Sequence, residues 1–518
     1  MVKSTSRRVL VVDDDPVFRK IAESALIEAG YEVICAPDVS SAQAIFQSVD
    51  AASLACALVD YGLPGCNGMD LLEWLNARYP TLAAVMITAS PEQWLLERSM
   101  KARVCAFLGK PLGPSDIRRA AASATDISSQ RRAFAEMRHQ VAQAGKLQKA
   151  MLERMLRTGD VSLEYRFHPR YDGSGDFLAY HRLPGGEDVF LMSDAAGHDL
   201  HALAQSSYFH GMLSGMLKSG QPLPEALREY NRTLLDEPAG QVSSLSVSAL
   251  QVHPGSGCVS AWNYGAPPPV FVDGQGWVRT MGTQASPPLG WFEDSEPAVD
   301  RAGIPNGPVW MWTDGLDDLA EALNASSLSV AYALLQARAG EPPQFVSEAQ
   351  DDVLVARIWP GASAQTTAVP YAEPLLSEDY GPETIANIDR VQEHWVRSLQ
   401  LALPSLSDSV RYDLVLCGRE AVLNALKYGC SMNGKARFQV LYEPSRELLR
   451  ARVWDPGSGY DFDFAEHAAH DRNDPVEDHR GLLLMHAHSP RVSVGRGGAE
   501  VTMEFQLHPK PEESKKEK

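Results

Sequence analysis

Aspartates at the ends of short apolar runs constrain the fold of this chain more than any other feature. They are Asp176 in Gly-Ser-Gly-Asp-Phe, Asp194 in Ser-Asp-Ala-Ala-Gly-His, Asp314 in Trp-Thr-Asp-Gly, and the adjacent pair Asp351 and Asp352. Three of these four sites adjoin an apolar run that is typical of a β-strand. Strands that end repeatedly in acids, beside small residues, predict a site for hard divalent cations.

The composition indicates an ordinary globular protein of several domains. The 518 residues are 44% hydrophobic and 22% charged, and a chain of this length has room for about three domains. Its net charge of −19 opposes nonspecific nucleic-acid binding, which uses basic patches. No apolar run is long enough to span a membrane, the first residues lack a signal-peptide core, and the seven cysteines form no CxxC pair. We therefore expect a cytoplasmic protein.

The first 122 residues alternate apolar runs with amphipathic stretches. Strands are predicted at Val9–Val12, Leu54–Val59, Ala83–Ile87 and Cys105–Leu108, and helices at Val17–Ala29 and Met69–Arg78. This alternation predicts a doubly wound α/β domain, in which a parallel sheet has helices on both faces. Active sites in such sheets lie at the carboxyl ends of the strands.

Residues 123–160 form a predicted helical linker without proline. A seam spaced by alternating steps of three and four residues runs through it and is interrupted once by Gln148: Phe134, Met137, Val141, Ala144, Gln148, Met151 and Met155. Such a seam is typical of a coiled coil, which would make the protein a homodimer. The alternative is an amphipathic helix packed on its own domain.

The rest of the chain divides by composition. Residues 161–360 contain many strand runs and Pro/Gly turns and predict an α+β domain. Residues 361–375 read as a linker, and 376–508 return to long helices followed by strands. The charged tail, 509–518, is expected to be disordered.

Polar residues at strand ends of the first domain predict a phosphoacceptor site. Asp13 and Asp14 follow the first strand, Asp60 follows the second predicted strand, Thr88 the third, and Lys110 the last. Two acids can hold Mg²⁺ beside Asp60 as nucleophile, while Thr88 and Lys110 contact the phosphoryl oxygens. A single acid after a strand is common in proteins, but this complete set of residues at successive strand ends is specific for a phosphoacceptor site.

This ordered set resembles a response-regulator receiver domain of flavodoxin-like fold over residues 7–122. The resemblance implies that a histidine kinase or a histidine phosphotransfer protein phosphorylates Asp60. It also implies a receiver Mg²⁺ at Asp13, Asp14 and Asp60, and it makes Phe107 the aromatic switch residue beside Lys110.

The second acid group fits two-metal chemistry. Asp176 and Asp194 flank a strand-like run, so neighbouring antiparallel strands can bring both acids to one point, and Asp314 and Asp351 can hold a second ion. Two ions roughly 3.5–4 Å apart can activate a water and neutralise a phosphate. Any single acid here is more often a turn cap than a ligand.

With their contexts, these acids resemble the SpoIIE-like branch of PPM-type serine/threonine phosphatases, an α/β/β/α sandwich, over about 145–360. The matching motifs include Asp-Ala-Ala-Gly-His, Pro-Pro-Leu-Gly, Trp-Thr-Asp-Gly-Leu and Gln-Asp-Asp-Val-Leu-Val. The resemblance implies Mn²⁺ or Mg²⁺ ligands at Asp176, Asp194, the Ala195 carbonyl, Asp314 and Asp351. Ser174 and Leu354 depart from the usual glycine and threonine without removing a ligand. A catalytically dead adaptor is the alternative.

The third group of motifs fits nucleotide binding. Glu420 and Asn424 are four residues apart, which places them on one face of a helix. An amide oxygen can ligate Mg²⁺ on nucleotide phosphates, and a carboxylate one turn away can accept a proton. Asp455 lies in Asp-Pro-Gly-Ser-Gly, with Gly457 and Gly459, and its carboxylate can accept a hydrogen bond from an adenine amine. Gly481 lies at the start of a predicted helix, and a helix start can bind a phosphate.

In this order over residues 376–508, the motifs resemble a GHKL (Bergerat) ATPase of the anti-sigma-factor serine-kinase kind. The resemblance makes Asn424 the ligand of Mg-ATP, Glu420 the general base, Asp455 the adenine reader, and 461–478 the lid. A domain without kinase activity that only grips a partner is the alternative. His467 and His470 lack a third ligand with matching context, so a metal site there is not expected.

The three-domain order resembles response regulators of the HsbR type, which act in partner switching. It implies dephosphorylation of phosphoserine or phosphothreonine on a STAS-domain anti-sigma-factor antagonist, and ATP-dependent serine phosphorylation of that same protein. In the rival interpretation the C-terminal domain is a non-catalytic anti-sigma factor that sequesters a sigma factor, or an adaptor, and only the phosphatase is active. No nucleic-acid or membrane partner is expected.

Overall fold

The structure, a computed structural model, divides into two compact units, Met1–Val141 and Ala142–Lys518, which are described separately. It describes residues 7–49, 53–65, 67–89, 104–156, 162–171, 173–197, 200–236, 244–284, 286–293, 299–338, 341–360, 371–430, 434–459, 480–489 and 491–507. Within these residues, no helix is both long enough and apolar enough to cross a membrane.

The first unit is a parallel sheet covered by helices on both faces. Its strands follow the order β2-β1-β3-β4-β5, where β1 is Arg8–Val12, β2 Glu32–Ala36, β3 Leu54–Asp60, β4 Ala84–Thr88 and β5 Ala106–Gly109. Helices α1 (Pro16–Glu28), α2 (Val39–Ser48) and α3 (Gly68–Arg78) connect them. Every ladder is parallel, which confirms the predicted doubly wound fold.

Alternate residues of the central strands supply two separate cores. Leu10 and Val12 pack with α2 and α3 on one face, whereas Val9 and Val11 pack with α1 on the other. Because both faces are covered, the central strands are apolar throughout. The edge strand β2 is half exposed and was not among the strands predicted from sequence.

A single helix, α4 (Pro114–Leu156), is 43 residues long and continues from the first unit into the second. Its first turns are buried in the core that α1 also covers. The predicted seam lies within this helix, and its members differ in exposure: Phe134 and Met137 are 59% and 50% exposed, whereas Gln148 is 4% exposed. The polar interruption of the seam is therefore a buried contact.

The second unit begins with two five-stranded antiparallel sheets packed face to face. One has the order β13-β10-β9-β8-β7, and the other β12-β11-β14-β15-β6. The strands are β6 Ser162–His168, β7 Phe177–Arg182, β8 Asp188–Ala195, β9 Leu245–His253, β10 Cys258–Tyr264, β11 Val270–Val272, β12 Val278–Thr280, β13 Asp300–Gly303, β14 Val309–Trp312 and β15 Val353–Trp359.

Helices cover the outer face of each sheet. Helices α5 (Leu200–Lys218) and α6 (Leu223–Leu235) pack on the first, and α7 (Asp314–Ala322) and α8 (Ser327–Gln336) on the second. Between the sheets lies a core that includes Phe190 and Met311. These four layers confirm the predicted α/β/β/α sandwich.

An antiparallel sheet with helices on one face follows. Its order is β16-β17-β18-β20-β19, where β16 is Glu373–Tyr380, β17 Ala436–Glu443, β18 Leu448–Trp454, β19 Arg491–Gly495 and β20 Glu500–Gln506. Its helices are α9 (Ile388–Ala402), α10 (Asp408–Asn424), which runs into a π-helical turn Ala425–Gly429, and α11 (Arg480–His488). The linker was predicted over residues 361–375, but β16 already begins at Glu373. The Glu373 side chain is buried and forms an ion pair with Arg357 of β15, which holds the start of the strand in place.

The sandwich and this third sheet share one continuous core within the second unit. A hairpin made by β11 and β12 reaches the sheet face opposite the helices, where the Gln439 amide donates to the Gly276 carbonyl at 2.7 Å and accepts from the Val278 N–H at 3.0 Å. The Arg452 guanidinium lies 3.9 Å from the Trp277 ring centroid. The two predicted output domains are therefore packed against each other.

Candidate functional sites

The receiver-like acids meet at the carboxyl edge of the parallel sheet, as predicted. Ligand oxygens of Asp13, Asp14 and Asp60 lie within 4.8 Å of one another. Asp60 ends β3 and Thr88 ends β4, and both are buried. The structure brings these side chains together because the parallel register aligns all the strand ends.

A lysine from the loop after β5 lies among these acids. The Lys110 ammonium is 2.8 Å from an Asp13 oxygen and 2.7 Å from an Asp60 oxygen. Burial lowers the pKa of Lys110, but hydrogen bonds to both carboxylates outweigh burial, and the pKa ends above its usual value. Burial raises the pKa of Asp13. Phe107, on β5, is half-buried against the core that α3 covers.

The phosphatase-like acids lie at one end of the sandwich, on elements from both sheets. Asp176 immediately precedes β7 and Asp194 lies near the end of β8, and these strands pair in antiparallel register. Asp314 is the first residue of α7, and Asp351 lies in the turn before β15. The structure therefore brings all four predicted carboxylates into one region, with Ala195 buried at the end of β8.

Neighbouring polar groups hold Asp176 in place. The Thr313 hydroxyl donates to an Asp176 carboxylate oxygen at 2.7 Å and accepts from the Leu354 N–H at 3.1 Å. The Asp176 N–H donates to the Ser174 hydroxyl at 3.0 Å. Ser174, the departure from the usual glycine, thus contributes a hydrogen bond.

Asp352 differs from its neighbour Asp351 in position and in contacts. Asp352 is buried and accepts from the Arg170 N–H at 2.7 Å, whereas Asp351 is exposed. Gly315 lies against this turn, and a Cβ there would collide with the Asp352 carbonyl oxygen. Asp352 therefore fixes the loop before Asp176.

Burial and, after it, mutual repulsion raise the pKa values of this acid group. Burial, followed by the charge of Asp194, raises the pKa of Asp176 well above its usual value. Burial, Asp314 and Asp351 raise the pKa of Asp194 to about 7. Burial and Asp351 also raise the pKa of Asp314. Among the described residues, no lysine or arginine forms an ion pair with these carboxylates.

This charge pattern fits divalent cations. Carboxylate oxygens are the ligands preferred by Mg²⁺ and Mn²⁺, and repelling carboxylates without a cationic side chain favour bound cations. No three of these acids have oxygens as close together as those of Asp13, Asp14 and Asp60. A site for two ions needs this wider spread, because the ions themselves stand roughly 3.5–4 Å apart.

The nucleotide-like motifs line one pocket beside α10. Asn424 at the end of α10 and Asp455 just after β18 face it, together with Tyr428, Gly459 and Met485. Asp455 is 9% exposed, accepts from the Gly457 N–H at 2.9 Å, and has its pKa raised by burial. A buried carboxylate can accept a hydrogen bond from an adenine amine, as predicted.

The start of α11 closes the other end of this site. A Cβ on Gly481 would stand 2.9 Å from the Asn424 amide nitrogen and 3.4 Å from a Glu420 oxygen. Only glycine lets this helix approach the two side chains so closely. The structure thus brings Glu420, Asn424 and Gly481 together, whereas the predicted lid, 461–478, with His467 and His470, lies outside the described residues.

Two contacts of the Asp176 site were missed by the sequence analysis. Thr313 stands in the quoted motif Trp-Thr-Asp-Gly, so its place beside Asp314 was a usable signal. The Gln148 amide nitrogen donates to the carbonyl oxygens of Ser174 and Asp176, both at 3.0 Å. Its only signal in the sequence was a polar residue in an apolar seam.

Three family models match the chain in the predicted order. They are the response regulator receiver domain over residues 9–122, stage II sporulation protein E (SpoIIE) over 184–357, and the histidine kinase-like ATPase domain over 382–505. The SpoIIE match includes Asp194, Asp314 and Asp351 and begins after Asp176. The predicted domain types and their order are therefore confirmed.

Curated relatives match the chain in part. The transcriptional regulatory protein AruR of Pseudomonas aeruginosa is 30% identical over 148 residues, which cover 28% of this chain and 56% of AruR. A cyclic di-GMP phosphodiesterase of Thermotoga maritima is 29% identical over 104 residues, which cover 20% of this chain and 27% of that protein. The match thus spans about half of the first relative and about a quarter of the second.

Solved structures also resemble parts of the chain. The RsbU and RsbW domains of a Mycobacterium tuberculosis protein are 19% identical, with 67% of this chain and 94% of that chain covered and a TM-score of 0.30. A CheY-like receiver domain from Methanospirillum hungatei is 27% identical, with 24% of this chain and 97% of that chain covered and a TM-score of 0.23.

Proposed function

We propose that this chain, which consists of a receiver domain, a SpoIIE-type phosphatase domain and a histidine kinase-like ATPase domain in that order, regulates partner switching under the control of phosphorylation. Its substrate is phosphoserine or phosphothreonine on a STAS-type anti-sigma-factor antagonist, which the C-terminal domain phosphorylates in turn. The convergence of Asp176, Asp194, Asp314 and Asp351 at one end of the sandwich carries the proposal.

In the phosphatase site, the protein supplies a fixed set of anionic ligands. Asp176 and Asp194 lie on paired strands, and the Thr313 hydroxyl holds one Asp176 oxygen. Mn²⁺ or Mg²⁺ held by Asp176, Asp194, Asp314 and Asp351, with the Ala195 carbonyl, would activate water and offset the phosphate charge. Asp352 keeps the loop before Asp176 in register through the Arg170 N–H.

In the receiver, a carboxylate oxygen of Asp60 attacks the phosphorus of a phosphohistidine. The new bond is the acyl phosphate O–P bond, and the N–P bond of the histidine breaks. Lys110, already 2.7 Å from an Asp60 oxygen, is placed to pair with the transferred phosphoryl group. The donor is a histidine kinase or a histidine phosphotransfer protein, and a receiver Mg²⁺ would lie at Asp13, Asp14 and Asp60.

In the ATPase-like domain, three side chains have separate roles. Asp455 accepts from the adenine amine, Asn424 would ligate the Mg²⁺ of Mg-ATP, and Glu420 accepts the proton of the substrate serine hydroxyl. Asn424 and Asp455 line one pocket and Glu420 lies with Asn424 against Gly481, which supports ATP binding.

Full-length protein mixed with the phosphorylated STAS protein and Mn²⁺ tests the phosphatase. We expect release of phosphate by the wild type and none by Asp176→Asn, whereas the exposed Asp389→Asn serves as a matched control with unchanged release. A wild type that leaves the phosphoprotein intact would contradict the proposal.

Labelled ATP tests the kinase separately from the phosphatase. In the Asp176→Asn background we expect the STAS protein to accumulate label, and Glu420→Gln to abolish it while ATP still binds. Tight binding of a sigma factor without any transfer of label would instead establish the rival function, a non-catalytic anti-sigma factor.

The exposed part of the α4 seam supports a homodimer. Phe134 and Met137, which are spaced by three residues, are each at least half exposed. A second copy of the helix would bury them in a coiled-coil contact. Light scattering should report a dimer for the wild type and a monomer for the double substitution Phe134→Asp with Met137→Asp, and a monomeric wild type would contradict this part.

A further inference from the structure

Two adjacent, exposed aromatic residues follow the motif Pro-Pro-Leu-Gly in the phosphatase domain. Trp291 is 58% exposed and Phe292 is 57% exposed, and their ring centroids lie 6.4 Å apart in an edge-to-face arrangement. A single exposed apolar residue is common on protein surfaces and needs no explanation. Two large rings presented together are a candidate contact surface, because aromatic side chains bury large apolar areas when a partner covers them.

A buried amide holds the backbone of this aromatic pair in place. Asn231 of α6 is 2% exposed, and its side-chain amide donates to the Phe292 carbonyl at 2.8 Å and accepts from the Gly290 N–H at 2.7 Å. The Leu289 backbone also exchanges two hydrogen bonds with Leu245 of β9, at 2.9 and 3.1 Å. The chain is therefore fixed on both sides of the exposed tryptophan. A partner that covers the two rings does not have to order this loop first.

The aromatic pair lies beside the end of the sandwich that carries the predicted metal ligands. Leu245 pairs with Ala195 of β8, which directly follows Asp194, and Leu289 takes the next place along the sheet. Since neighbouring strands lie roughly 4.8 Å apart, the Leu289 backbone is about 10 Å from that of Ala195. A folded protein whose phosphoserine lies at the carboxylates therefore has surface within reach of Trp291, whereas a small phosphate ester does not.

We infer that Trp291 and Phe292 form a docking surface for the folded phosphoprotein substrate, which packs an apolar patch beside its phosphoserine or phosphothreonine against the two rings. The inference rests on the proposed function of the metal site and adds a determinant of specificity outside it. The acids and their cations recognise a phosphate group, which every phosphate ester carries. The two rings add contact area that only a protein substrate can fill.

The charge of the chain favours an apolar contact of this kind. Phosphorylation adds negative charge to the partner, and this chain has a net charge of −19. Apolar burial stabilises a complex without requiring opposite charges, so it can hold a phosphoprotein against an acidic domain.

Trp291→Ala in the full-length chain tests the inference through two substrates. The phosphorylated STAS protein offers a folded surface, whereas p-nitrophenyl phosphate offers only a small ester. We expect KM for the phosphoprotein to rise about tenfold or more, since tryptophans are frequent hot spots of protein interfaces. The kcat for the phosphoprotein should change less than about threefold, and both constants for p-nitrophenyl phosphate should stay within about twofold of the wild type.

Two further variants control for size and for folding. Trp291→Phe should keep most of the affinity, because it retains an aromatic ring. Ile27→Ala truncates a similarly exposed apolar side chain of the receiver domain and should leave KM unchanged. Thermal unfolding verifies that each variant folds. An unchanged KM for the phosphoprotein in folded Trp291→Ala, or an equal loss with both substrates, overturns the inference.

Calorimetric titration separates this inference from the proposed function. The phosphorylated STAS protein is titrated into Asp176→Asn, with and without Trp291→Ala, so that binding is measured without turnover. If the wild type hydrolyses nothing but the STAS protein binds, the proposed function fails, and a Kd raised by Trp291→Ala still supports the docking surface. Absence of binding overturns both. An altered oligomeric state in Trp291→Ala, with KM unaltered, would assign the aromatic pair to a contact between copies and overturn the docking surface alone.

Discussion

In the receiver domain a lysine lies among three aspartates, whereas in the phosphatase domain five aspartates converge and none of the lysines or arginines in the described ranges pairs with them. Lys110 contacts both Asp13 and Asp60, so part of the receiver charge is neutralised by the protein itself. In the phosphatase site, burial and neighbouring acids raise the pKa values of Asp176, Asp194 and Asp314. We therefore expect the phosphatase site to depend more on cations from solution than the receiver site does.

Asp60→Asn should have the largest effect, complete loss of phosphate incorporation from acetyl phosphate, because the nucleophilic carboxylate is absent. The fold should persist, since Lys110 keeps its ion pair with Asp13. Phosphate incorporation is followed by a gel that retards phosphoproteins, and circular dichroism reports the fold. Undiminished incorporation in this variant would place the phosphoacceptor elsewhere.

Asp176→Asn should lower hydrolysis of p-nitrophenyl phosphate by roughly a hundredfold or more, because a metal contributes several kcal/mol to the transition state. Steady-state rates at saturating Mn²⁺ measure the change. Asp60→Asn should hydrolyse p-nitrophenyl phosphate at the rate of the unphosphorylated wild type. The two acid sites would then have separate functions. Equal losses in both variants would show that the comparison between two independent sites is wrong.

Removal of metal should separate the two sites by stability. With Mn²⁺ at about a hundred times its dissociation constant, the free energy of unfolding of the second unit should increase by about 2.7 kcal/mol.

In the presence of a chelator, Asp176→Asn should unfold at a higher temperature than the wild type, since it removes one repelling buried charge. Lys110→Met should instead unfold at a lower temperature, because Asp13 and Asp60 lose the ammonium group between them. Calorimetric scans with and without Mn²⁺ check all three, and destabilised Asp176→Asn would contradict the repulsion.

A dependence of stability on pH should come from two buried histidines of the phosphatase domain. Burial lowers the pKa of His181 to about 4 and holds the pKa of His210 well below its usual value. Both are neutral when folded and take up protons when unfolded below about pH 6.5, so acid favours unfolding. Stability should fall from about pH 6.5 towards 4, by up to about 1.4 kcal/mol per pH unit for each histidine.

His181→Gln should reduce this slope by one proton, because a glutamine takes up no proton on unfolding. Denaturant midpoints between pH 7 and pH 5 measure the difference. An unaltered slope in His181→Gln would show that this histidine is already protonated in the folded protein.

Sequence reasoning located the candidate carboxylates because three of their four sites adjoin an apolar run that predicts a strand. It also placed Asp176 and Asp194 on neighbouring strands, and the register of Phe177 with Ser193 confirms this. It missed the edge strand β2, whose half-exposed face weakens the pattern. It also began the third domain three residues late, since the buried pair of Glu373 with Arg357 cannot be read from either segment alone.

The sequence by itself determined the candidate site residues, because strand-end acids and glycine turns are local features of consecutive residues. Only the tertiary structure decided what holds them. Gln148 contacts a loop 26 and 28 residues away, Thr313 reaches Asp176 across 137 residues, and Gln439 joins the third sheet to a hairpin 163 residues before it. Contacts at such separations leave no periodic trace along the chain, and they form only when independently predicted elements pack together.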